Sequence, residues 1–202
     1  MAFSLFHKQH LMNMEYLVHD FYSMCLQLKR NSRIVFIDMG ASLEFHGKSN
    51  SPAIYITQLY SKFGFKFDHI YAYEITQTEP ARVFERVPEE LMNSYHWINV
   101  GVDAEPGAKL NPFTTILNNF NRDDFVVVKL DIDTPDIEKK LAHQLKNSPE
   151  LLDIIDIFYF EDHVMQEELL PWWRGTVRGN VAESLDLMMS IRNMGVSSHY
   201  WP

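Results

Sequence analysis

Apolar residues recur at Leu11, Met14, Val18, Phe21, Cys25 and Leu28 between about His10 and Arg30. This three-four spacing predicts an amphipathic helix with one apolar stripe. The stripe suits the flank of a sheet, with a homodimer seam or a lid over a ligand as alternatives. After Asn31-Ser32 the pattern changes to a short apolar run, Ile34-Val35-Phe36-Ile37, which predicts a strand buried on both faces. Ser51-Pro52 then supplies a cap and a first-turn proline for a helix to about Lys62. Ile70 to Tyr73 is a second strand ending in Glu74, and Trp97 to Val102 a third. Two short helices, opened by Thr78-Glu79-Pro80 and Val87-Pro88-Glu89-Glu90, separate them.

The same order continues downstream. Asn111-Pro112 opens a helix, Phe125 to Leu130 forms a strand, and Thr134-Pro135 opens the next helix. Ser148-Pro149 begins a short helix before a fifth strand drawn from the later residues of Ile154 to Phe160. A last helix from about Val181 to Asn193 stops at Gly195, and Val196 to Trp201 has the composition of a closing strand. Strands separated by helices require crossovers, and right-handed crossovers place helices on both faces of a mostly parallel sheet. The expected fold is therefore α/β and doubly wound: an N-terminal helical segment, residues 1–32, packed on an α/β domain, residues 33–202. Ligands of such sheets sit beyond the carboxyl ends of the strands, where strand order reverses. That rule directs attention to Asp38 to Ser42, Glu74, Asp103, Asp131 to Thr134 and Glu161 to His163.

Composition narrows the functional classes. The 202 residues, 46% of them hydrophobic, suit one domain with a sizeable core. With 27 acidic against 18 basic residues the net charge is -9, and no Lys/Arg run could track a phosphate backbone, so nucleic acid is not an expected partner. The single cysteine, Cys25, cannot form an internal disulfide and is expected as a reduced, buried thiol. No apolar run approaches the roughly 18 residues of a membrane span, and no leader pattern opens the chain. A cytoplasmic protein without membrane contact is the expectation.

Gly40 lies where the chain turns from the first strand, and a residue without Cβ lets the backbone approach a ligand. A dinucleotide fingerprint would have glycine at three positions, but these hold Gly40, Ser42 and Phe45, which disfavours a nicotinamide cofactor. Glu74 closes the second strand, where a carboxylate can accept from both hydroxyls of a ribose, or simply stand in solvent.

The segments Phe36-Ile37-Asp38-Met39-Gly40-Ala41-Ser42, Ile70-Tyr71-Ala72-Tyr73-Glu74 and Val128-Lys129-Leu130-Asp131-Ile132-Asp133 resemble successive motifs of the FkbM-like methyltransferases, which share a Rossmann-like fold. The resemblance spans about Arg33 to Val164. It implies S-adenosylmethionine as cofactor, its methionine part held by the loop with Asp38, Gly40 and Ser42 and its ribose by Glu74. It also implies a residue near the adenine at Asp103, for which a turn acid in Asp103-Ala104-Glu105-Pro106-Gly107 is the alternative. The chain departs from the family in a longer first loop (Leu43 to Ser51), in Ser42 for the second motif glycine, in Ile75 where proline is usual, and in one closing strand rather than an antiparallel pair.

Asp131 and Asp133 follow the fourth strand and Glu161, Asp162 and His163 the fifth, so their side chains can converge across neighbouring strands. Several oxygen ligands plus one imidazole would suit Mg²⁺ or Mn²⁺, with Asp131, Glu161 and Asp162 the expected oxygen ligands, a role such acids play in some related O-methyltransferases. The alternative has Asp133 and Thr134 capping the helix at Pro135. Methyl transfer from a sulfonium needs alignment and one base, for which Asp131 and His163 are the candidates. Trp172-Trp173-Arg174 could wall an acceptor site or pack under the last helix. The expected activity is O-methylation of a small-molecule or sugar-like acceptor; an inactive methyltransferase-like scaffold is the alternative.

Overall fold

The computed structural model describes residues 17–18, 21–44, 51–167, 170–173 and 175–201. Its helices are α1 (Phe21–Gln27), α2 (Pro52–Ser61), α3 (Pro80–Phe84), α4 (Pro112–Asn119), α5 (Pro135–Asn147), α6 (Pro149–Ile154), α7 (Leu170–Trp173) and α8 (Val181–Asn193). Its strands are β1 (Ile34–Met39), β2 (His69–Tyr73), β3 (Tyr95–Ile98), β4 (Phe125–Leu130), β5 (Ile155–Phe160) and β6 (Ser197–Tyr200). They form one sheet in the order β3-β2-β1-β4-β5-β6, with every pairing parallel. This is a doubly wound, Rossmann-like arrangement, and its strand order reverses between β1 and β4.

Helix starts follow the local chemistry of the chain. Ser51 accepts from Ile54 N at 3.2 Å, Asn111 from Phe113 N at 2.8 Å and Ser148 from Leu151 N at 3.3 Å, each just before a proline. Such a cap satisfies an amide that the helix cannot, and the proline lacks the one that would be orphaned. Asn180 and Glu183 form a reciprocal capping box at the start of α8.

Side chains alternate across the sheet into two cores. Phe36, Val127 and Tyr159 face one side, with residues of α2 such as Ile56 and Tyr60; Ile37, Val128 and Phe158 face the other, with Phe113, Leu141 and Ile191 of α4, α5 and α8. Leu17, Val18 and Met24 belong to the first core, so the described part of the N-terminal segment shares the packing of the sheet. Tyr159 donates to the Leu17 carbonyl at 2.9 Å and meets the Tyr60 hydroxyl at 2.8 Å.

The structure departs from the expected elements in two places, the first helix and the end of β3. Of the predicted helix at His10 to Arg30, α1 is the described helical part. In α1 it is Met24 that is buried, while Phe21 and Cys25 of the expected stripe are exposed; Val18 and Leu28 of that stripe do pack on the first core, and the thiol is not a core residue. Of the stripe offered as a dimer seam, Leu11 and Met14 lie outside the described residues, and Val18 is buried in the first core. β3 stops at Ile98 instead of continuing to Val102. The Asn99 amide takes over there: Nδ2 donates to the carbonyls of Glu74 (2.7 Å) and Thr76 (2.8 Å), and Oδ1 accepts from Thr78 N (2.9 Å). A side chain that satisfies the neighbouring loop ends the strand ladder and frees Val100 to Val102. At the sheet's other edge, β6 runs parallel beside β5, with no antiparallel strand among the described residues. No helix among the described residues is long and apolar enough to cross a membrane.

At the reversal point a buried charge joins the two central strands. Asp38 pairs with Lys129 in register, and Lys129 Nζ lies 3.0 Å from Asp38 Oδ1 and 3.1 Å from Asp131 Oδ2. The same ammonium donates to Gly40 O at 3.2 Å, and lies 5.4 Å from the Trp201 ring. Burial works against the charge of Lys129, but the carboxylates of Asp131 and Asp38 outweigh it and hold the lysine above its ordinary pKa. Lys129→Met is expected to lower the unfolding free energy by about 3–5 kcal/mol, because Asp38 would be left buried without its cation. Urea denaturation measures the loss, and adding Asp38→Asn to the same chain should recover part of it.

Candidate functional site

A cleft of about 390 Å³ opens beyond the carboxyl ends of β1 to β4, at the reversal point. It is walled by four loops, represented by Gly40 and Ser42, Glu74 to Thr76, Val100 to Val102, and Asp131 to Thr134. The volume lies within the range of small-molecule sites.

Gly40 and Glu74 stand side by side. Their preceding residues, Met39 and Tyr73, are register partners, and the amides of Gly40 and Ala41 both donate to Tyr73 O, at 3.0 and 2.9 Å. Gly40 has φ +89°, and a Cβ on it would fall 1.5 Å from the Asp131 carbonyl oxygen. The glycine is therefore demanded by the backbone after β4, in addition to any ligand. Glu74 Oε1 accepts from Thr76 N at 2.6 Å, which fixes the carboxylate at the cleft wall. Ile75, 70% exposed, lies against Gly101, where a Cβ would approach its Cδ1 to 2.9 Å. The loops after β2 and β3 thus form a partly apolar wall.

The remaining residues singled out from the sequence divide between the cleft and other tasks. Ser42 lines the cleft, and its hydroxyl donates to Glu44 O. Asp38 is fully buried on Lys129 and does not line the cleft. Asp103 is exposed, accepts from Glu105 N at 2.8 Å within its turn and lies outside the cleft lining, where Val102 stands instead. Asp162 turns away from its neighbours to pair with Lys139 at 2.6 Å.

Asp131 lines the cleft and starts a chain of polar contacts. Its carboxylate touches Lys129 on one side and hydrogen-bonds with Glu161 on the other. Glu161 Oε2 lies 3.0 Å from His163 Nε2, and Asp133 Oδ1 lies 3.7 Å from that same nitrogen. His163 is 2% exposed, its ring stacked on Trp173 at 4.6 Å and its Nδ1 2.7 Å from Thr176 Oγ1. Trp173 therefore serves as a support for the imidazole.

The proton affinities of these groups diverge. Burial raises Asp131, but Lys129 outweighs it and holds the acid below its ordinary range. Burial, reinforced by Asp131, pushes Glu161 up to about 7 despite its contact with His163. Burial lowers His163, but Glu161 overcomes this and raises it. Carboxylates in contact cannot all be ionised at little cost, so the one nearest the ammonium keeps its charge.

Glu138 was not among the residues singled out. It is buried on α5, accepts from Ile132 N at 2.8 Å and so pins the loop after β4. In the sequence it resembles an ordinary acid of a first helical turn, favoured there by the helix dipole. Its detectable signal was the spacing: an acid three residues after Pro135 can reach back to the loop that precedes the helix.

Comparison of the chain with protein-family models, curated proteins and solved structures found no match.

Burial pushes the Glu138 pKa from 4.5 up to about 7. An acid whose pKa is higher folded than unfolded contributes stability that is fully present below the unfolded value and lost as pH rises through the folded one. Between pH 4.5 and about 7, wild type should therefore lose stability relative to Glu138→Gln, which carries no such proton. Urea denaturation of both chains across this window measures the difference, and a constant gap between them would contradict the assignment.

Proposed function

We propose that the protein is an S-adenosylmethionine-dependent methyltransferase acting on an oxygen of a small-molecule or sugar-like acceptor. The observation that carries this reading is the open hollow between Gly40 and Glu74 at adjoining strand ends. With Oε1 occupied by Thr76 N, the other oxygen of Glu74 is the natural acceptor for ribose hydroxyls. Ile75 and Val102 offer apolar contact to a flat base. At the far end of the cleft, Asp131 and Asp133 make the lining anionic, which favours a sulfonium cation over a neutral ligand. S-adenosylmethionine supplies an already activated methyl group, so the protein has to align the acceptor and remove one proton.

Asp131, held ionised by Lys129, is a weak base but a fixed anion. Glu161, pushed up to about 7, and His163 beside it stand behind the cleft lining, so an acceptor proton would reach them by way of Asp131, which lines the cleft and touches Glu161. The assignment that follows gives Asp131 the electrostatic role and the Glu161–His163 pair the proton.

One observation favours a second reading, a nicotinamide dinucleotide: the all-parallel 3-2-1-4-5-6 strand order is that of dinucleotide-binding domains. Such domains place a helix N-terminus on the pyrophosphate. Here Ser51 and Pro52 at the start of α2 are buried, twelve positions beyond Gly40 in Pro52's case, and neither lines the cleft. Phosphate would therefore lack its usual amides.

Calorimetric titration separates the readings. S-adenosylmethionine should saturate one site, with affinity reduced roughly 10- to 100-fold in Glu74→Ala, the expected loss of charge-assisted hydrogen bonds. Heat from a nicotinamide dinucleotide alone would favour the second reading, and silence with both at millimolar ligand would leave the scaffold alternative.

A further inference from the structure

We propose that Asp133, Glu161 and His163 form a divalent-cation site for Mn²⁺ at the anionic end of the cleft. One oxygen from each carboxylate and one imidazole nitrogen lie within 4.8 Å of one another. His163 Nε2 stands 3.0 Å from Glu161 and 3.7 Å from Asp133, separations that two ligands about 2.1 Å from a common ion adopt. The set differs from the one expected from sequence. Asp162 is committed to Lys139, and Asp131 to Lys129.

The second, independent observation is the orientation of His163. Its buried ring is clamped on Trp173, and its Nδ1 meets a Thr176 hydroxyl that itself donates to Trp173 O at 2.9 Å. That hydroxyl has spent its proton, so it accepts from Nδ1–H. Nε2 is then the nitrogen that faces Glu161 and Asp133, and the proton it shares with Glu161 at 3.0 Å is the one a divalent ion would displace. An outer hydrogen bond on one imidazole nitrogen that aims the other is how proteins prepare a metal-binding histidine.

Two carboxylates and one imidazole suit Mn²⁺ better than Mg²⁺, which prefers oxygen and gives up water reluctantly. Three protein ligands leave positions open, and Asp133 also lines the cleft, so those positions would face a bound acceptor oxygen. The site does not rest on the methyl-transfer reading; with Mn²⁺ bound, Glu161 and His163 would act as ligands, and the ion in place of that pair would promote loss of the acceptor proton.

The test uses the full chain after chelation, titrated with MnCl₂ and followed by electron paramagnetic resonance of free Mn²⁺. One Mn²⁺ per chain is expected at submillimolar concentration, with Mg²⁺ a weaker competitor and affinity reduced at least roughly tenfold in Asp133→Asn and His163→Gln. Asp133 is 80% exposed in its side chain, so Asp133→Asn keeps the test valid should His163→Gln fail to fold. No saturation at millimolar Mn²⁺, or an unchanged titration in Asp133→Asn, overturns the site in favour of a proton shared among the three groups. Glu74→Ala should bind Mn²⁺ as wild type does, so loss of cofactor binding and loss of metal binding are read separately.

Discussion

One ammonium group holds the centre of this protein together. In a doubly wound sheet the two strands at the reversal point diverge in their connections, and no crossover helix spans the gap between their ends. Lys129 spans it chemically, touching the carboxylates of Asp38 and Asp131 and the carbonyl of Gly40. A cation without solvent is tolerable only when paired and hydrogen-bonded, and here each partner belongs to a segment that must stay in place for the cleft to exist.

From this cation the polarity of the site is graded outward. Asp131 takes the ammonium's field and stays ionised; Glu161, one contact further, does not have it and holds its proton more tightly; His163 completes the sequence at the protein's interior. The opposite wall, with Glu74, Ile75 and Val102, carries a single fixed carboxylate on a partly apolar surface. A ligand with a flat, hydroxyl-bearing end and a cationic end matches that division, which is why the methyl-donor reading accounts for both ends of the cleft.

The alternation of apolar runs and capped prolines was enough to read β1, β2, β4, β5 and most helices, because a strand buried on both faces leaves a continuous apolar run and Ser/Asn-Pro marks a helix start. The end of β3 was not legible: Trp97 to Val102 is apolar apart from Asn99 and Gly101, and the Asn99 amide acts on a loop more than twenty residues earlier. Nor did the sequence distinguish the strand-end acids. Asp131 and Asp133 stay at the cleft while Asp38 and Asp162 are drawn off by Lys129 and Lys139, a distinction set by contacts between residues distant in the chain. The place of Gly40 was legible, but its reason was not, since the Asp131 carbonyl that excludes a Cβ lies some ninety residues downstream.

That close contact constrains how the cleft can respond to a ligand. With the Gly40 Cα pressed on the Asp131 backbone and both segments bound to Lys129, the loops after β1 and β4 can shift only as one body. On the β2 and β3 side Asn99 ties the two loops together, but Ile75 rests on Gly101 through a side chain that can change rotamer without breaking a hydrogen bond. Adaptation to a ligand is thus left to a side chain while the backbone around it stays in place.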